Sequence, residues 1–198
     1  MKVSVTTLSV RNPATYLFNK YRAAATNHIN CALDTIVINN GNSAAVMATA
    51  NQLYEDLQQL LIIGLISERE YDAVAAVTFE VLCGDNQHFV LPEISCVKTI
   101  TGESVYELAE CKTLVCAAII TPINKCIDFL VNTTEEDWKA DGWETKEEYH
   151  QYLLKAVHNF MRLGKIIGAT TEKDHDNVTM HMKQCVETNS FTEFSFGG

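Results

Sequence analysis

Three stretches of this chain carry a helix start and a helix stop at helix-length separation, with an apolar period between them. Ser43 precedes Val46, Ala50, Leu53, Leu57, Leu60 and Leu61, and Gly64 follows. Ser67-Glu68-Arg69-Glu70 has capping-box form ahead of Tyr71, Val74 and Val81, with Gly84 behind. Thr145-Lys146-Glu147-Glu148 repeats that form before Tyr149, Tyr152, Leu153, Val157, Phe160 and Met161, and Gly164 marks the expected stop. A serine or threonine oxygen satisfies the orphan amides of a first turn, and a glycine tolerates the left-handed residue that ends a helix. Caps and period agree at all three places, so helices against a shared core are the frame into which the rest must fit.

Less sharply marked segments fill that frame. Asn12-Pro13 gives a cap and a first-turn proline before a helical run through Tyr21, Ala25, His28, Ala32 and Ile36, which stops at Asn39-Asn40-Gly41. Ser104 to Ile120 has helical period. Thr121-Pro122 should then kink or restart the chain, because proline lacks the amide donor, and a short helix to about Leu130 follows. Residues 86–100 read as extended and loop-like. Residues 2–10 alternate as a strand does. Thr171 to Glu187 is open to two readings. Val178, Met180 and Met182 alternate and, with Phe191, Phe194 and Phe196, suggest a hairpin beside the first strand; a helix is the other reading, and the hairpin is preferred. The expected fold is mainly α: a single-domain helical bundle of about five or six helices over residues 1–198. A small β element is made by the N-terminal strand and a C-terminal hairpin.

Composition narrows the function classes. At 198 residues and 47% hydrophobic, the chain can bury a core without staples. No run approaches the roughly 18 apolar residues of a membrane span, and Met1 to Thr7 lacks the apolar stretch of a signal peptide. The seven cysteines are scattered and odd in number, as free thiols of a reducing compartment are. Cytoplasmic localisation is therefore expected. Charge is uneven. Residues 51–150 carry 19 acids against 6 bases, out of a whole-chain charge of −10, which argues against nucleic acid as a partner.

Chemistry-bearing motifs are sparse. Neither Gly-x-Gly-x-x-Gly, a phosphate loop, a Gly-x-Ser-x-Gly elbow nor His-Glu-x-x-His occurs, and no catalytic residue or cofactor is assigned. His175, His181 and Cys185 form the best metal candidate, because imidazole and thiolate suit zinc; a solvated polar segment is the plainer reading. Lys155, His158, Arg162 and Lys165 make a basic stripe with a structural reading as surface charge near a helix C-terminus.

The most unusual patch runs from Glu135 to Glu148. It holds seven acids, two lysines and both tryptophans of the chain. Glu135, Glu136, Asp137, Trp138, Asp141 and Trp143 are the candidate partner-binding residues, since tryptophan favours hot spots and charge selects partners. The competing structural reading has the acids complementing a helix dipole and the tryptophans pinning a loop. The expected function is a non-catalytic interaction protein, an adaptor, inhibitor or regulator of the kind common among viral and mobile-element accessory proteins, with a protein partner. The alternatives are a ligand- or metal-binding enzyme with an inter-helix Cys/His/Asp pocket, and a self-assembling homo-oligomeric subunit.

Overall fold

A computed structural model describes residues 13–92 and 108–196. It contains seven helices: α1 (Pro13–Ile38), α2 (Ser43–Ile62), α3 (Glu68–Leu82), α4 (Leu108–Asn132), α5 (Glu135–Ala140), α6 (Lys146–Ile166) and α7 (Glu172–Thr188). The chain is mainly helical, and no strand occurs among the described residues. The strand expected over residues 2–10 and the cap expected at Asn12 lie outside the described residues.

α1 is the central element. Its stripe of Tyr21, Ala25, Ile29, Leu33 and Ile36 is completely or almost completely buried, and it touches α2, α3, α4 and α6. The repeat of mostly four residues keeps these side chains on one face of a 3.6-residue helix. α2 contributes Leu53, Leu57 and Leu60, α3 Val74 and Val81, α4 Ile119, Ile123 and Ile127, and α6 Val157, Phe160 and Met161 to the same buried cluster.

The caps behave as their chemistry requires. Asn42, one residue before the serine expected to cap, accepts from the Ala45 amide and starts α2. Ser67 and Glu70 make the reciprocal capping box of α3. At the end of α2, Gly64 adopts φ +70°. Its amide donates to Leu61 O at 3.0 Å and the Leu65 amide to Leu60 O at 2.9 Å, the pair of bonds that closes a helix through a left-handed residue.

Three expectations are corrected. First, residues 171–187 form α7, not a hairpin. The Thr171 amide and hydroxyl both donate to Asp174 Oδ2, at 2.8 and 2.7 Å, and Thr171 Oγ1 accepts from the Asp174 amide. Val178, Met182 and Cys185 then share the inner face, while Met180 is 69% exposed. The apparent alternation was a coincidence of two inward residues around an outward one. Second, α4 continues through Pro122 as one element and neither stops nor restarts there. Third, Gly164 does not end α6, which runs on to Ile166. A Cβ at position 164 would lie 2.7 Å from Thr170 Oγ1 and 3.2 Å from Ile119 Cδ1, so the glycine lets the turn after α6 fold back against α4.

Two extended segments lie on this frame, and asparagine side chains hold both. The Phe89 amide donates to Asn30 Oδ1 and the Asn30 amide group donates back to Phe89 O, both at 2.9 Å. Phe194 and Asn124 repeat the arrangement, again at 2.9 Å both ways. Each asparagine thus offers an extended residue the donor and acceptor that a neighbouring strand would have supplied. The extended character expected over residues 86–100 holds for the part described, up to Pro92.

Gly164→Ala should destabilise the protein by about 1–3 kcal/mol in urea unfolding, the range for overpacking a filled site. An unchanged midpoint would show that Thr170 and Ile119 do not approach as closely as described.

Candidate functional site

The acidic, tryptophan-bearing segment folds locally before it does anything else. Asp137 accepts from the Thr134 amide at 2.9 Å and from the Thr134 hydroxyl at 2.7 Å, which nucleates the six-residue α5. Those bonds hold the Asp137 carboxyl below its ordinary range, and the Lys139 ammonium, bonded to Glu135, does the same for that residue. Glu135, Glu136, Asp137 and Asp141 are all exposed.

The two tryptophans divide between the two roles open to them. Trp138 is 8% exposed and forms a small second core with Leu130, Tyr149 and Leu153. The Trp143 amide closes the turn by donating to Trp138 O at 3.1 Å. Trp138 therefore pins α5 to α4 and α6. Trp143 is half-buried, with its ring 5.0 Å from Tyr152 and 6.0 Å from Tyr149.

Trp143 opens onto a groove that sequence reasoning missed. A depression of about 610 Å³ is walled by α2, α4, α6 and the α5–α6 turn, with Phe129, Trp143, Tyr152, Ala156 and Phe160 among its lining. It runs at one end into a shallower depression of about 230 Å³ toward Glu55, Gln59 and Lys155, and at the other into one of about 360 Å³ beside Asp128, Asp137 and Asp141. Ile62, Tyr152 and Phe129 are 61%, 52% and 36% exposed. Gln59 lines the far end with its Oε1 buried and without a hydrogen-bond partner among the described residues. One signal was available: Tyr149, Tyr152, Leu153, Ala156 and Phe160 make the apolar face of α6 wider than a single core contact needs.

Charge around the groove is asymmetric. The acidic end is lined by Asp128, Asp137 and Asp141, with Lys125 on the adjoining α4 wall. At the other end Glu55 is neutralised by Lys155 at 2.6 Å and accepts from Asn159 at 3.1 Å. The remaining members of the basic stripe are also engaged: Arg162 with Asp56, Lys165 with Glu172, and His158 with His175. That stripe is structural.

Burial holds two of the groove's titratable groups in their neutral forms. Burial pushes the Cys126 thiol up to about 11, against a small opposing effect of Lys125, so it stays protonated near neutrality. Burial likewise raises the Tyr149 hydroxyl.

The metal candidates do not assemble. His175 faces His158, with Nε2 and Nδ1 3.2 Å apart, whereas His181 Nε2 donates to Thr192 O at 2.7 Å and lies 3.4 Å from Cys185 Sγ. Six residues separate His175 from His181, which is about 120° around a helix. Among the described residues no three His, Cys, Asp or Glu side chains form a metal-binding group. The His181 nitrogen nearest the thiol carries its proton toward a carbonyl, so it offers Cys185 no free lone pair as a base. No protein-family model, curated protein or solved structure matches this chain.

Trp138→Ala should cost about 3–5 kcal/mol in urea unfolding, as for a buried large-to-small aromatic change. Trp143→Ala should cost clearly less. Equal losses would contradict the division between pin and groove wall.

Proposed function

We propose that this chain is a non-catalytic interaction protein, an adaptor, inhibitor or regulator, that seats a protein partner in the groove along α6. The observation that carries this reading is the cluster of Ile62, Phe129 and Tyr152, large apolar side chains left substantially exposed around one depression. A contiguous apolar patch with a polar rim is what docking surfaces offer, and solvating it unoccupied is unfavourable. The acidic segment keeps its expected part with a changed role: Glu135, Glu136, Asp137 and Asp141 steer the encounter, Trp143 lines the site and Trp138 holds it in shape.

The open shape favours this reading over an enzyme pocket, because the site is a trough and not an enclosure that would expel water. We also place the protein in the cytoplasm. Cys31, Cys83, Cys126 and Cys185 are free thiols. One helical window, Val115–Asn132 in α4, is long and apolar enough to cross a membrane. It contains Lys125 and Asp128, and its Ile119, Ile123 and Ile127 are buried against the other helices.

The test is affinity capture from the cells that make the protein, with wild type against the double variant Phe129→Glu/Tyr152→Glu. Both positions are solvent-exposed enough for the melting temperature to stay close to wild type. The variant should lose the captured partner by at least tenfold. Retained capture at wild-type level would overturn the reading.

A further inference from the structure

We infer that the occupant of the groove is an amphipathic basic helix: a partner segment with an apolar stripe and with lysine or arginine gathered toward one end. The inference rests on the reading of the groove as a docking site and names the chemistry of what docks.

Backbone chemistry selects a helix. A segment entering an apolar trough must satisfy its own amides and carbonyls or find partners in the walls. The walls here are the helices α2, α4 and α6, whose backbone groups are bonded within each helix apart from the donor missing at Pro122, and no strand edge exists among the described residues to receive an extended peptide. The two extended segments that do lie on this protein are tied by Asn30 and Asn124. Asn159 and Asn132, at the groove's two ends, already donate to Glu55 and Asp128, and one amide oxygen, Gln59 Oε1, cannot by itself serve an extended backbone. A helix brings its hydrogen bonds with it and needs from the groove only an apolar face.

Length follows from the wall. Tyr149 to Phe160 spans twelve residues of α6, whose eleven helical rises make about 16 Å. A docked helix running alongside therefore contacts the groove over about three turns, with anchors near i, i+4, i+7 and i+11. Those anchors meet Ile62, Phe129, Tyr152 and Phe160.

Charge selects the sign and the placement. Asp128, Asp137 and Asp141 line one end of the groove, against Lys125 on the α4 wall, and two of these acids belong to the segment 135–148, whose seven acids and two lysines sum to −5. The other end is self-neutralised by Glu55 and Lys155. A partner uniformly acidic or neutral leaves that corner unmatched. Basic residues concentrated over one or two turns match it, and cannot gain as much at the opposite end.

The experiment uses the full chain and fluorescently labelled synthetic peptides of about 16 residues, four or so turns. One peptide has the apolar stripe with lysine and arginine at one end. A second keeps the stripe and replaces the bases with glutamate. A third keeps the basic composition and scrambles the period. Fluorescence anisotropy should show the first binding at least tenfold tighter than either control, with affinity falling as salt rises. Asp141→Asn/Glu144→Gln should weaken it several-fold and Phe129→Glu/Tyr152→Glu should abolish it, both at unchanged helical circular dichroism. Equal binding of the first and third peptides would overturn the inference by reducing it to charge alone. Equal binding of the first and second would remove the electrostatic half. A native partner captured through the groove by a chain that discriminates none of these peptides would leave the docking reading standing and this inference refuted. Insensitivity of that capture to the groove substitutions would refute the docking reading itself.

Discussion

A single buried carboxylate determines where the helices stand. Asp56 is 1% exposed, yet it accepts from His28 at 2.7 Å, from Gln52 at 3.1 Å and from Arg162. Those partners sit on α1, α2 and α6. A carboxylate this deep in the protein is tolerated only when paired and hydrogen-bonded, so the three helices must keep the register that brings the donors to it. Removing one partner of such a group typically costs about 3–5 kcal/mol, far more than an exposed ion pair of the Lys139–Glu135 type contributes. The next residue, Glu55, bonds Lys155 and Asn159 on α6. Together they set α2 against α6, and the groove lies along that seam.

A second node holds the other side of α1. Arg22, almost wholly buried, donates to Leu65 O at 2.6 Å, to Pro92 O at 3.0 Å and to the carboxylate of Glu70. Burial alone would raise that carboxyl, but the bonds from Arg22 and Ser67 outweigh it and hold Glu70 below its ordinary range. Glu70 is at once a cap for α3 and the counter-ion of α1, so local helix chemistry and tertiary packing share one side chain. The two nodes divide the work: Arg22 anchors α3 and the extended segment at Pro92, and Asp56 anchors α6.

How much of this was legible depended on whether a feature was local. Helix caps involve residues three apart, so Ser67-Glu70 could be read directly, and Thr171-Asp174 carries the same signature although the alternation of Val178, Met180 and Met182 competed with it. Gly164 shows the limit of a local rule. A glycine near a helix end reads as a stop, but here its missing side chain makes room for Thr170, a contact no window on the sequence contains. Pro122 allowed either a kink or a restart, and the restart does not occur, since α4 continues through it to Asn132. The site was half legible. Composition and charge pointed to residues 135–148, but whether Trp138 faced outward or inward depended on Leu130, Tyr149 and Leu153 from two other helices. The groove was illegible for the same reason: Ile62, Phe129 and Tyr152 become one surface only after α2, α4 and α6 have packed.

In the proposed reading the acidic corner and the apolar trough are one docking device with separable duties. Charge at the α5–α6 turn acts at a distance and falls off within about 10 Å at ordinary salt. The trough, in that reading, acts on contact and determines residence. Both depend on the seam between α2 and α6 that Asp56 holds. The most direct measurement is a nuclear magnetic resonance titration of the labelled full chain with the basic amphipathic helix, read at side-chain signals. The account predicts saturable shifts that trace Ile62, Phe129, Trp143, Tyr152 and Phe160, with little change at His158, His175 or the 181–192 corner. Shifts spread over the whole acidic surface, or confined to the His158–His175 end, would contradict it.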